Sequence, residues 1–128
     1  MAFAIGLIAL QACFAAYTSW LSLTRPAHFA GLLGLTLPAV SGVNEIRSQY
    51  GGFFLAMAAT QALALAGVLP LEAGLLIGAT TFGGLAAGRL CSLAVDRGSA
   101  AYTPTIRLLV LLDPLAFLLS LAAFWTLR

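Results

Sequence analysis

The chain has 128 residues, 62% of them hydrophobic and only 8% charged, with a formal net charge of +2 at pH 7. Soluble domains average about 25% charged residues, so this composition predicts an integral membrane protein. The length accommodates a single domain of about four spans of ~20 residues, with no separate soluble module. The chain contains no lysine, and it lacks the basic patch that a nucleic-acid-binding protein needs.

Four apolar segments are each long enough to cross about 30 Å of hydrocarbon. They cover residues 2–23, 44–68, 70–95 and 105–127. Arg25 and Pro26 close the first, because proline cannot continue a helix and arginine reaches the headgroups. The third opens at Pro70, with Glu72 near the positive end of the helix dipole. The sequence therefore predicts an all-α membrane protein, one domain over residues 1–128 with four transmembrane helices in an antiparallel bundle.

The segment between the first two spans, HFAGLLGLTLPAVSG, is apolar but is interrupted by glycines and by Pro38. It is too broken for a fifth span. We expect residues 26–43 either to lie along the membrane interface or to fold back as a re-entrant segment. A single tight turn at Leu69 and Pro70 joins spans two and three, which predicts an antiparallel hairpin.

Arginines flank the two longer loops on one side of the predicted bundle, whereas the other side holds only the N-terminus and Arg128. The four flanking residues are Arg25, Arg47, Arg97 and Arg107. Cytoplasmic loops carry an excess of arginine and lysine. We therefore expect both longer loops in the cytoplasm and both termini outside.

Small residues follow one face of the third span. At about 100° per residue, five positions lie within about 40° of one line. They are Gly74, Gly78, Thr81, Gly88 and Ser92. The natural counterpart in span two is formed by Gly51, Gly52, Ala56 and Ala59. Small residues let helix backbones approach one another in lipid, so we expect Gly51, Gly52, Gly74, Gly78 and Gly88 to pack helices.

A polar layer is predicted on the cytoplasmic side of the bundle. Arg89 lies about 9 Å into the hydrocarbon and Asp113 about 12 Å, counting 1.5 Å per residue. The stretch NEIRSQYGG, residues 44–52, adds Glu45, Arg47 and Tyr50 at a similar depth. Because charges at this depth must pair and face inward, we expect Arg89 to pair with Asp113 or Glu45, and Arg47 to stay nearer the headgroups.

This layer has two interpretations. In the first, an arginine–carboxylate network fixes the register of the helices and has no further role. In the second, it forms a polar pocket that is open to the cytoplasmic leaflet and binds a small anion, a lipid headgroup or a proton. Pro114, which follows Asp113, removes a backbone hydrogen bond to Val110 and creates either a hinge or a simple bend.

The sequence contains few of the residue combinations that catalysis requires. His28 is the only histidine and falls in a loop, so one chain cannot assemble a bis-histidine haem or a zinc site. Cys13 and Cys91 differ in predicted depth by roughly 10 Å, which exceeds the separation that a disulfide tolerates. We expect no catalytic residue, no metal and no cofactor, and therefore no enzyme.

Two motifs, NEIRSQYGGFF and GRLCSLAVDRG, are similar to those of a bacterial family of small four-span proteins known as domain of unknown function 4345. The resemblance covers nearly the whole chain. It marks these positions as family motif residues: Glu45, Arg47, Tyr50, Gly51, Gly52, Gly88, Arg89, Asp96 and Gly98. Arg97 stands between Asp96 and Gly98, where the family has a plainer Asp-Gly ending. The resemblance implies a bacterial inner-membrane protein but no biochemical activity.

Two functional hypotheses follow. In one, the protein is an accessory or assembly subunit that docks on a larger membrane complex through its glycine and alanine faces, so its partners are the bilayer and other membrane-protein subunits. In the other, it is a small-molecule, lipid or proton-coupled carrier that uses the polar layer of Glu45, Arg47, Tyr50, Arg89 and Asp113. Neither hypothesis involves nucleic acid.

Overall fold

The computed structural model describes residues 1–95 and 102–128, which fold into helices and short connections. The elements are α1 (Ala2–Thr24), α2 (Pro26–Leu32), α3 (Val40–Ile46), a π-helical turn (Arg47–Gly52), α4 (Phe53–Leu65), α5 (Leu71–Val95) and α6 (Pro104–Thr126). These two ranges contain no strand. The helical fold class that composition predicts is therefore confirmed.

Three helices, α1, α5 and α6, are long and apolar enough to cross a membrane. Their bounds lie within one residue of the predicted segments 2–23, 70–95 and 105–127. They indicate a multi-pass membrane protein. The antiparallel bundle of four spans stays a prediction, because the second segment is built differently.

The second predicted span is divided into three elements. α3 begins at Val40, four residues before the expected start, and continues through the π-helical turn into α4. In that turn, the Phe53 N–H donates to the carbonyl of Ser48, five residues back. Two adjacent glycines, Gly51 and Gly52, lie in this turn and favour the regular α-helix least of the non-proline residues. Residues 40–65 are nevertheless helical throughout.

The same run ends earlier than predicted, at Leu65. Gly67 has φ = +75°, the left-handed conformation in which many helices end. The Val68 N–H donates to the carbonyl of Leu63 at 3.0 Å, which gives a partner to a carbonyl that the end of the helix leaves free. A sharp turn then leads into α5.

The order of the contacts shows that neighbouring long helices run in opposite directions. Along α1 and α4, Ser19 bonds to Gly51 and Gln11 bonds to Gln61. Along α5 and α6, the contacts in order are Gly78 with Ser120, Gly83 with Phe117 and Arg89 with Asp113. α1 is therefore antiparallel to α4, and α5 to α6.

Residues 26–43 contain a short helix that the sequence did not predict. α2 begins at Pro26, in the first turn where the missing N–H costs nothing. Phe29 and Ala30 are buried against Leu21 of α1 and Ile46 of α3. The segment thus folds back against the end of the bundle, although its position relative to a membrane stays a prediction.

The bundle has two ends, which we call the terminal half and the loop half. The terminal half holds both chain termini and the turn between α4 and α5, and the loop half holds α2, the π-helical turn and the start of α6. The terminal half is filled by Ala4, Leu7, Ile8, Leu75 and Ala123. The middle is filled by Ala15, Phe54, Met57 and Phe82, and the loop half by Leu21, Phe29, Ala30 and Ile46.

Candidate functional site

An ion pair between α5 and α6 lies at the centre of the loop half. Arg89 Nε donates to the carboxylate of Asp113, and this is the one ion pair whose members both fall within residues 1–95 and 102–128. The Asp113 side chain is 2% exposed, whereas that of Arg89 is 19% exposed. The guanidinium is therefore the more accessible member of the pair, and the acid is almost fully buried.

The other two predicted charges of the polar layer lie away from this pair. Glu45 is exposed on α3, and Arg47 is exposed at the start of the π-helical turn. Arg47 Nε donates to the carbonyl of Leu23 at 3.2 Å. Arg47 therefore gives a hydrogen-bond partner to one of the carbonyls that the C-terminal end of α1 leaves free.

The π-helical turn also holds Tyr50 in place. The ring centroid of Tyr50 lies 5.0 Å from that of Phe29 and 6.4 Å from that of Phe54, with the second pair stacked. On the α1 side, Ser19 Oγ donates to the carbonyl of Gly51 at 2.8 Å. The turn is therefore attached to α1 while Tyr50 faces the interior of the loop half.

A cavity of about 500 Å³, which we call the Arg89 cavity, lies beside the ion pair. Its polar lining residues are Tyr50, Arg89, Ser92 and Tyr102, and its other lining residues are Leu33, Gly84, Leu85, Gly88, Ile106 and Val110. A Cβ added at Gly84 or Gly88 would meet no atom within 4 Å. The absence of side chains at these two positions thus leaves open space next to Arg89.

Two further cavities, of about 160 and 260 Å³, lie between α1 and α6. Phe14, Leu109 and Asp113 line both of them. We call them together the α1/α6 slot. Apart from Arg89, Asp113 and a few hydroxyl and amide groups, the residues that line the slot are aliphatic or aromatic.

The five glycines predicted to pack helices lie in two kinds of surroundings. A Cβ added at Gly51 would come within 2.6 Å of Leu23, and one at Gly74 within 3.1 Å of Ala64. One added at Gly78 would come within 2.2 Å of Gln11 Oε1. An added Cβ at Gly88 would meet no atom within 4 Å, and one at Gly52 would meet only the carbonyl of Arg47, at 3.9 Å. A further close contact that the sequence did not predict occurs at Gly83, against Phe117.

A second polar cluster, the glutamine network, was missed by sequence reasoning. Gln61 Nε2 donates to Gln11 Oε1 at 3.0 Å, and Gln11 Nε2 donates to Ser120 Oγ at 2.8 Å. Ser120 Oγ in turn donates to the carbonyl of Ala116 at 2.7 Å. The three side chains are buried in the terminal half. Glutamines inside apolar runs were the available signal, because a buried amide in lipid requires partners.

No group of three or more histidine, cysteine, aspartate or glutamate side chains that could hold a metal ion occurs in the part of the chain that the structure describes. Cys13 and Cys91 are exposed free thiols. His28 belongs to α2, in the loop half.

The comparison that decides the family is a match of residues 4–123 to the family described as "Domain of unknown function (DUF4345)". The chain belongs to this family. The match confirms the resemblance indicated by the two sequence motifs. No curated protein and no solved structure matches the chain.

The DUF4345 motif residues fall around the loop half. Gly88 and Arg89 line the Arg89 cavity together with Tyr50, while Arg47 and Gly51 join the π-helical turn to α1. Asp96 and Gly98 of the second motif lie outside the described residues.

Proposed function

We propose that the protein binds an anionic group at Arg89 and acts as a carrier for a small molecule or lipid. The observation that supports this proposal is the orientation of the Arg89–Asp113 pair at the wall of the Arg89 cavity. The acid is buried and the guanidinium is accessible. Arginine has five N–H donors in a planar fork and can donate two hydrogen bonds at once to the oxygens of a carboxylate or phosphate.

The charge of the loop half favours the same class of ligand. Arg25, Arg47, Arg89 and Arg107 belong to this end, against two described acids, Glu45 and Asp113. Asp96 and Arg97, which lie outside the described residues, cancel in formal charge. The excess of positive charge attracts anions and disfavours cations.

Unfilled space beside the pair supports binding over a purely structural network. An ion pair that only fixes the register of two helices requires no cavity beside it. Here Gly84 and Gly88 leave the cavity side of α5 open next to Arg89. The hydroxyl groups of Tyr50, Ser92 and Tyr102 in the cavity wall supply further hydrogen-bonding groups. The proposal assigns binding, and no catalytic step, to these residues.

The membrane arrangement that accompanies this proposal is a four-span protein of the bacterial inner membrane, with both termini outside. The helical run of residues 40–65 has 26 residues, about 39 Å at 1.5 Å per residue, which exceeds the ~30 Å of the hydrocarbon core. It packs alongside α1 over the depth between the Ser19–Gly51 and Gln11–Gln61 bonds. These features support residues 40–65 as the second span.

The proposal is tested with two probes that share one chain and differ in headgroup charge, dodecyl phosphate and dodecanol. Each probe is added to wild-type protein in phosphatidylcholine nanodiscs. Native mass spectrometry then releases the protein from the nanodisc and counts the probe molecules that remain bound to it. We expect retention of dodecyl phosphate over dodecanol. The double variant Arg89→Leu with Asp113→Leu should lose about 10- to 150-fold in dodecyl phosphate affinity, because one charge-assisted hydrogen bond contributes roughly 1.5–3 kcal/mol.

A matched control replaces two hydroxyl groups that bond only within their own helices, Thr60→Val with Thr80→Val. Neither residue lines any of the three described cavities, so this variant should retain dodecyl phosphate as the wild type does. Equal retention of dodecyl phosphate by wild type and the Arg89/Asp113 double variant overturns the proposal. Circular dichroism of both double variants establishes that the helical content is unchanged.

The accessory subunit is the second candidate, and the position of α6 favours it. Only 17% of the apolar window of α6 is buried, against 39% for α1 and for α5, so α6 has a broad face available to another membrane protein. Blue-native analysis of the protein extracted in mild detergent from its own membranes tests this function. Migration far above a small oligomer of 13.2 kDa chains supports it, and migration as a small homo-oligomer contradicts it.

A further inference from the structure

The Arg89 cavity adjoins the α1/α6 slot. The first slot cavity shares four lining residues with the Arg89 cavity: Leu33, Tyr50, Leu85 and Arg89. The second slot cavity adjoins the first at Phe14, Leu109 and Asp113. A polar chamber and an apolar passage therefore meet at the Arg89–Asp113 pair.

The slot lies between α1 and α6. In the terminal half the two helices meet, with Ala4 and Leu7 of α1 in one apolar cluster with Ala123 of α6. Gln11 of α1 also bonds to Ser120 of α6. The slot lies beside and beyond these contacts, with lining residues from Leu7 to Leu21 on α1 and from Thr105 to Leu119 on α6.

The slot also reaches the outer surface of the bundle. Leu10, Leu112 and Leu115 line its second cavity, and all three are exposed. In a membrane this surface faces hydrocarbon, so the slot opens sideways to lipid. A free hydrophilic anion gains nothing from such an opening, since moving a charge through hydrocarbon is costly.

From this arrangement we infer that the ligand is an anionic amphiphile with a hydrocarbon chain, whose headgroup binds Arg89 and whose chain occupies the α1/α6 slot. This inference rests on the proposed binding of an anionic group at Arg89 and specifies the ligand class. The apolar walls match a hydrocarbon chain, and the accessible guanidinium matches an anionic head. A hydrocarbon chain in the slot would also give its wall atoms the van der Waals contacts that they lack when the slot is empty.

The experiment uses a fatty acid that carries a photoreactive diazirine in the middle of its chain, incorporated into phosphatidylcholine nanodiscs with the full-length protein. Phe29 and Phe54 line the slot but are buried, so bulk lipid does not reach them. We expect photolabelling at Phe29 or Phe54, mapped by mass spectrometry of peptides. Labels confined to exposed residues that line none of the three described cavities, such as Leu118, overturn the inference.

A pair of neighbouring variants provides the control. Leu109 lines both slot cavities, whereas Leu108 is exposed and lines none of the three described cavities. Leu109→Trp should block the slot and reduce labelling of Phe29 and Phe54 by about tenfold, a loss of ~1.4 kcal/mol. Leu108→Trp should leave labelling unchanged. Equal labelling in both variants overturns the inference.

A competition arm separates the chain inference from the proposed function. We expect excess inorganic phosphate to leave the labelling of Phe29 and Phe54 intact, because it lacks the chain. If inorganic phosphate binds in an Arg89-dependent way and the fatty acid never labels the slot, the ligand is a free anion, so the chain inference fails while anion binding at Arg89 stands. If dodecyl phosphate retention does not depend on Arg89, the proposed function itself fails.

Discussion

The terminal half and the loop half of the bundle place buried polar groups in opposite surroundings. In the terminal half, the space beside Gly78 is filled by the amide of Gln11, which bonds to Gln61 and Ser120. In the loop half, the space beside Gly84 is empty and the Arg89 cavity occupies it. The comparison shows that a glycine leaves space on the surface of its helix, and that side chains of the neighbouring helix determine whether this space is filled or stays a cavity.

Breaking the ion pair from one side should give the largest effect. Asp113→Leu leaves Arg89 without its partner at membrane depth, and we expect a loss of about 3–5 kcal/mol in the free energy of unfolding. Removing both charges, in Arg89→Leu with Asp113→Leu, should cost far less, since apolar residues replace a pair that needed desolvation. Unfolding in mixed micelles of rising denaturing-detergent content measures both. A double variant as unstable as Asp113→Leu would contradict this account.

Filling the glycine site of the terminal half should give the next largest effect. Gly78→Ala places a methyl group where Gln11 Oε1 now lies, so the bond to Gln61 must break or shift, with an expected cost of about 1–3 kcal/mol. Gly84→Ala on the same helix meets no atom within 4 Å and should be neutral or stabilising by up to ~1 kcal/mol. The same unfolding assay compares the two, and equal stability of the two variants would remove the distinction between the halves.

Weakening the glutamine network should have a smaller effect. Gln61→Leu removes the donor to Gln11 Oε1 and to the Gly74 carbonyl, at an expected cost of about 0.6–2 kcal/mol. Thr60→Val is the control, because the Thr60 hydroxyl bonds only within its own helix, to the Ala56 carbonyl. Thermal unfolding in detergent should show a lower midpoint for Gln61→Leu alone. A rise in its midpoint would mean that the network serves something other than stability.

The smallest effect concerns the attachment of the π-helical turn to α1. Ser19→Ala removes the bond to the Gly51 carbonyl and should destabilise by about 0.5–1.5 kcal/mol. Ser22→Ala should cost less, because Ser22 bonds back to Thr18 of the same helix. Hydrogen exchange of backbone amides in residues 47–52 should accelerate in the Ser19 variant only. Unchanged exchange there would show that the turn is held by packing alone.

Much of the fold could be predicted from the sequence, because lipid leaves few alternatives to long apolar helices. The bounds of α1, α5 and α6 and the family follow directly from apolar runs and two motifs. Depth counting brought Arg89 and Asp113 together but could not choose between Asp113 and Glu45. Which acid pairs with Arg89 depends on how each helix is rotated about its own axis. Sequence spacing defines the relative directions of side chains within one regular helix, but not the rotation of one helix relative to another.

The glutamine network and the cavities could not be predicted for the same physical reason. Whether Gln61 faces Gln11 depends on helix phase, and the π-helical turn upstream changes that phase. Gly88 and Gly74 lie on the same predicted face of their helix. Whether each of them contacts another helix or borders a cavity depends on how closely the neighbouring helices pack at that level. Local pattern determines which face is small, whereas tertiary geometry determines what lies opposite.

The π-helical turn therefore acts as a phase adjuster within a single long helix. A regular α-helix advances about 100° per residue, so one residue more or fewer between Arg47 and Phe53 would rotate everything downstream by roughly that angle relative to α3. With the turn in place, Arg47 reaches the end of α1 while Gln61, on the same continuous helix, still meets Gln11. If the turn were longer or shorter, either Arg47 or Gln61 would face away from α1. The six residues of the turn therefore determine how the two halves of this helix are rotated relative to each other.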